Sequence, residues 1–205
     1  MKSIRMFCLL SALTFAITAM GQTSGTSSAP ASAPAAQQSS QPAPTVGSTV
    51  DKEISAYEKL MVDAADAMPE DKFNFTPASL NIPGSSFKDV RTFAQLIKHT
   101  AAANYLLWSR VSGEKMPGNI KGGNGPEELK SKAEIMQLLK DSFAAGHRAA
   151  KTLTAENMME QIPFRNDSAP RLFVATFGVI HDGDEYGQMV EYLRMNGIVP
   201  PASRH

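Results

Sequence analysis

The chain is almost without thiols. Its one cysteine among 205 residues, Cys8, lies inside an apolar run at the N-terminus. Once that run is removed, disulfides, zinc–thiolate sites and cysteine nucleophiles are excluded together. Net charge is also lacking, since 20 basic residues balance 20 acidic ones, so nothing draws the chain electrostatically to nucleic acid or to an anionic membrane surface. No window alternates apolar and polar residues for long enough to propose a sheet. No apolar stretch reaches the roughly 20 residues that a membrane span requires, and no internal repeat is visible.

What is present suffices for one ordinary core: 42% of the residues are hydrophobic, and a chain of this length supports a single folded domain. At the N-terminus, Lys2 and Arg5 precede a nearly continuous apolar run over residues 6–16, followed by small residues around Ala19 and Gly21. That pattern predicts a cleaved export signal over residues 1–21 and a periplasmic or secreted protein with no membrane span in its mature part. An uncleaved anchor is the alternative. Residues 22–47 contain no charge and no aromatic ring, a composition that cannot bury enough surface to offset ordering entropy. Residues 22–48 are therefore expected to be a disordered tether and residues 49–205 the folded domain.

Four amphipathic segments follow. Val50, Ile54, Tyr57, Met61, Ala64 and Met68 recur four and three residues apart, one stripe of a helix that Pro69 stops. Residues 70–86, with Pro77, Pro83 and Gly84, read as an irregular connection. A second helix is expected from near Asp89, as N-cap, to Gly113, with Phe93, Leu96, Thr100, Leu107 and Val111 on one face. Residues 116–126 are rich in glycine but lack the Lys-Ser/Thr pair of a phosphate loop, and a mobile connection is expected there. Ser131 and Glu134 form a capping box that opens a third helix, whose core face is Ile135, Leu138, Leu139 and Phe143. A fourth helix is expected from about Ser168 or Ala169, with Pro170 in its first turn, to Gly197. Four such helices must bury their stripes against one another, which predicts an all-α, antiparallel four-helix bundle. Met61, Met68, Met136 and Met195 fall on those stripes and are assigned to the core.

The fourth helix carries polar residues where apolar ones are expected. At about 100° per residue, Val174, Phe177, His181, Glu185, Gln188, Tyr192 and Met195 share one narrow band. An imidazole, a carboxylate and an amide buried in successive turns are costly without partners. A metal ion would resolve this, because side chains four apart on a helix can converge on one ion, and imidazole with carboxylate suits zinc, nickel, iron or manganese. The alternative is a simple i, i+4 hydrogen bond between His181 and Glu185. His99, at the border of the second helix's apolar face, is the candidate third ligand. His147, at the edge of the third helix's core stripe, and the terminal His205 receive no role.

The run HDGDEYGQ at 181–188 followed by YLRMNGIVPP at 192–201 resembles the closing helix of DinB-like proteins. MPEDKFNFTP at 68–77 and RTFAQLIKH at 91–99 agree with that resemblance in order and spacing. It covers essentially everything from Thr49 onwards. The resemblance implies a four-helix bundle binding a divalent metal through three histidines, one on the second helix and two spaced four apart on the last. His99 and His181 match two of them; the third position is Glu185, a departure from the family's usual histidine. Tyr186, Gly187 and Gln188 keep to the pattern, and Gln188 or Tyr186 is the candidate for orienting a substrate or the ligands. Relatives include metal-dependent thiol transferases and proteins described as hydrolases. A metal-dependent hydrolase or transferase acting on an unidentified small molecule is therefore one expectation. A non-catalytic binding or structural module with a degenerate metal site is the other. Four exposed helix backs also permit a homodimer.

Overall fold

The computed structural model describes residues 43–121 and 123–204. The expected export signal and all but the last residues of the expected tether lie outside them. In chain order the described residues form α1 (Val46–Ala67), α2 (Phe93–Ser112), α3 (Lys132–Ala150), a hairpin of β1 (Gln161–Phe164) and β2 (Asp167–Pro170), and α4 (Arg171–Met195). Single-turn 3₁₀ helices occupy Glu70–Lys72, Pro77–Leu80 and Pro201–Ser203. The helices α1 and α2 each pack against both α3 and α4, and all four contribute to one hydrophobic core. No helix among the described residues is long and apolar enough to cross a membrane.

Local chemistry sets where the helices begin. Reciprocal capping boxes open three of them: Thr45 with Ser48 for α1, Thr92 with Gln95 for α2, and Ser131 with Glu134 for α3. Each box satisfies backbone N–H groups that the first turn leaves without partners. The α1 box starts that helix at Val46, three residues into the stretch assigned to the tether. The α2 box moves that helix start from the expected Asp89 to Thr92; Asp89 instead adopts a left-handed turn conformation, φ 64°. Gly113 ends α2 in the left-handed region, with its N–H donating to the Ser109 carbonyl.

The expected core stripes of α1, α2 and α3 are buried as read, apart from the partly buried Tyr57. At the centre stands Trp108, fully buried. A Cβ at Gly146 of α3 would come within 2.9 Å of the indole, and one at Gly178 of α4 within 3.0 Å. Each helical glycine costs about 0.5–1 kcal/mol of helix stability. Burying an indole contributes about 5 kcal/mol, so two close approaches are favourable on balance.

Two expectations require correction. The first is the absence of any sheet: residues 161–170 form a short antiparallel hairpin, with Ile162 opposite Ala169 and Arg165 at φ 54° in its turn. Four-residue strands are too short to show a period of two. Residues expected to begin the last helix are strand residues, and α4 starts after Pro170. The second is the inward face of α4. Its buried residues are Val174, Ala175, Gly178, Val179, Asp182, Glu185, Met189, Tyr192 and Leu193, a face rotated by about 80° from the expected band. Met195, assigned to the core, is 37% exposed, and Gln188 faces solvent.

Candidate metal centre

The helix α2 presents His99 at the border of its buried face, and α4 presents His181 and Glu185 one turn apart. Packing of α2 against α4 brings the three together. Nε2 of His99 lies 3.4 Å from Oε1 of Glu185, and Nε2 of His181 lies 3.5 Å from the same oxygen. The imidazole centroids are 5.3 Å apart, and one donor atom from each residue falls within 4.8 Å of the other two. Glu185 is 4% exposed, and no lysine or arginine pairs with it among the described residues.

The surroundings orient the donors. Nδ1 of His99 donates to the Gly123 carbonyl, so one ring proton resides on Nδ1, and Nε2 faces Glu185, donating to it when the ring is charged and presenting a lone pair when it is neutral. The other carboxylate oxygen, Oε2 of Glu185, accepts from Nε2 of Gln188 at 3.3 Å. Gln188 thus touches the cluster from its solvent side. Tyr186 does not: it packs partly buried against the core, and burial, then the charge of Asp63 on α1, raises its phenol above the usual range.

The two imidazoles are pushed in opposite directions. The hydrogen bond to Glu185 raises His99 against the opposing effect of burial, and the Gly123 carbonyl adds to the rise. Burial lowers His181, whose Nδ1 is buried without a hydrogen-bond partner among the described residues.

A further acid was not singled out from the sequence. Asp182, between the two α4 donors in sequence, is fully buried, and neither of its oxygens has a hydrogen-bond partner among the described residues. Burial pushes its carboxyl well above the usual range, while the Asn104 side chain beside it opposes the shift. Burial therefore favours its protonated form. The small residues Ala175 and Gly178, on the same side of α4, were the available sign that this side is packed closely. The Gly123 carbonyl left no such sign, because a backbone acceptor can be supplied by any residue type.

This donor set fits a divalent transition ion. Around an ion with bonds of about 2.1 Å, tetrahedral donors stand about 3.4 Å apart, the separation from each imidazole nitrogen to Oε1. A metal-bound histidine ordinarily has its second nitrogen hydrogen-bonded, as His99 has at Gly123. Two imidazoles and a carboxylate would hold one side of such an ion.

Sequence and helical architecture both match a known group. The sequence model of the DinB superfamily matches residues 54–189, a span that contains His99, His181, Glu185 and Gln188. The chain belongs to the DinB superfamily. Its fold is similar to that of a DinB-like protein from Bacillus cereus, with TM-score 0.58, 18% identity, and coverage of 77% of this chain and 96% of that one. It is likewise similar to a DinB-like protein from Bacillus subtilis, with TM-score 0.57, 15% identity, and coverage of 77% and 99%. No curated protein matches the chain.

Proposed function

We propose that this protein is an exported DinB-superfamily domain that holds one divalent transition ion, zinc, nickel, iron or manganese, through His99, His181 and Glu185. The proposal includes an antiparallel bundle, tethered by residues 22–45 after a cleaved signal, and action as a hydrolase or group transferase on a small molecule. The observation that carries it is the approach of two Nε2 atoms to one oxygen of a buried carboxylate, at tetrahedral spacing. When bound, such an ion supplies Lewis acidity and lowers the pKa of a coordinated water to near neutrality. The chain's own contribution is orientation. Gly123 holds the His99 ring in its tautomer, and the Gln188 amide holds the second oxygen of Glu185 while itself facing solvent, where a substrate arrives. Export favours water over a small cellular thiol as the nucleophile, because such thiols are concentrated inside the cell.

One observation favours a second reading, a non-catalytic module with a degenerate site. Glu185 stands where the family usually has histidine, and its oxygens already face the His99 and His181 imidazoles and the Gln188 amide. Such a carboxylate is partnered without an ion. Comparing the parent chain with Glu185→His and Glu185→Gln by calorimetric titration with zinc, nickel and manganese separates the two. The metal-centre reading expects parent and Glu185→His to bind within about tenfold of each other and Glu185→Gln to be weaker by about 100-fold. Tight binding in Glu185→His alone would establish the degenerate module. Hydrolysis of nitrophenyl esters that a chelator abolishes would support the catalytic part.

A further inference from the structure

A cavity of about 290 Å³ opens beside the donor cluster, between α2 and the connection that follows it. His99 forms one wall; Ala102, Ala103 and Leu106 continue along α2, and Met116 and Ile120 close the far side. Apart from the His99 imidazole, no lining side chain among the described residues is ionisable. An apolar cavity of about 150 Å³ suffices to take up benzene, so this one has room for a larger aliphatic or aromatic group.

Its far wall is anchored. Glycine-rich residues 116–126 were expected to be a mobile connection, yet α2 and the residues just before it hold the following stretch at four points. Nε of Arg91 donates to Oδ1 of Asn124 at 2.9 Å, and the His99 imidazole bonds the Gly123 carbonyl. The buried Lys98 ammonium donates to the carbonyls of Pro126, at 3.0 Å, and Leu129, at 3.4 Å. Ile120 is buried in a small cluster with Ala101, Ala102, Tyr105, Leu138 and Ala145, against which Met116 packs. A preformed apolar wall spends little ordering entropy on a ligand.

We infer that this cavity is the apolar subsite of the same centre. It takes a compact, uncharged aliphatic or aromatic group of a small molecule whose polar end reaches the His99, His181 and Glu185 donors. Only the placement of the polar end rests on the metal-centre reading. His99 is the hinge of the inference, since it lines the cavity while its Nε2 faces Glu185.

Two titrations test it. In the first, zinc-loaded protein is titrated with straight-chain hydroxamates from acetohydroxamate to hexanohydroxamate, whose common head binds zinc. Affinity should rise about fourfold per added methylene until the tail fills the cavity. Ala103→Phe, at a half-buried position of α2, should flatten that series; the comparison is a ratio within one protein, so altered zinc occupancy cancels. A series that is level in the parent, or equally steep in the variant, overturns the subsite. In the second, metal-free protein is titrated with benzene and followed by methyl NMR. Saturable shifts confined to Ala102, Ala103, Leu106, Met116 and Ile120 support the cavity even if zinc fails to bind, whereas unmoved methyls overturn it. A failure of zinc binding alone counts against the metal centre and leaves this second titration to decide the subsite.

Discussion

Two groups of histidine and carboxylate side chains lie in this domain, and they are built in opposite ways. In the first, two imidazoles from α2 and α4 approach one oxygen of the buried Glu185. In the second, one imidazole, His147 of α3, is held between two carboxylates of α1. Its Nδ1 lies 2.7 Å from Oδ1 of Asp51 and its Nε2 lies 3.0 Å from Oε2 of Glu58. Both His147 nitrogens are engaged by separate acids at a half-buried surface, so no lone pair is left for an ion. In the first group, two Nε2 atoms converge on one carboxylate oxygen at a centre from which most solvent is excluded. Both groups combine imidazole with carboxylate; convergence of donors with burial separates a candidate ligand set from an interhelical clamp.

Breaking one group should leave the other untouched. The largest effect is expected for His181→Ala, which should weaken zinc binding by more than about 100-fold in a calorimetric titration, whereas His147→Ala should bind zinc as the parent does. Asp182→Asn should stabilise the metal-free protein by about 2 kcal/mol at about pH 8, measured by urea unfolding. A buried acid whose folded-state pKa is raised loses stability as pH climbs above its unfolded value. The advantage of the asparagine should therefore shrink towards about pH 4. Gln188→Ala should weaken zinc binding about tenfold while leaving the melting temperature of the metal-free chain in place, because the solvent-facing amide holds only the second oxygen of Glu185 and the exposed Asp184 carboxylate.

The smallest effect is expected at the clamp. Burial lowers the His147 pKa, but the hydrogen bonds the imidazolium donates to Glu58 and Asp51, together with their charges, outweigh it, and the net shift is upwards. The clamp therefore stabilises the fold fully below the ordinary histidine range and loses that contribution as pH rises through the raised value. His147→Ala should cost about 1 kcal/mol at about pH 5.5, a figure held down by solvent screening of the partly exposed acids. The cost should fade in alkaline solution. A cost that stays level from acid to alkaline pH would contradict the charged clamp.

Apolar periodicity made most of α1, α2 and α3 legible, because their buried stripes are formed by large aliphatic and aromatic side chains at regular spacing. It failed on α4. There the packed face includes Ala175, Gly178 and Asp182, while Phe173 and Ile180 are exposed, Ile180 by 66%. Hydrophobic patterning follows large side chains; this face is instead set by close approach to Trp108 and by a polar cluster. The hairpin escaped notice because its strands are four residues long. At the candidate centre, His99, His181 and Glu185 were visible through helical spacing and family resemblance. Gly123, the clamp at His147 and the cavity behind His99 depend on contacts between segments far apart in the chain, and a local pattern carries no sign of them.

Metal content tests the central claim most directly. Purified protein, saturated with zinc and freed of excess by gel filtration, should retain about one equivalent by mass spectrometry, and the His181→Ala protein prepared in parallel should retain almost none. Less than about a tenth of an equivalent in the parent, or equal retention in both proteins, would contradict a metal centre built on His99, His181 and Glu185.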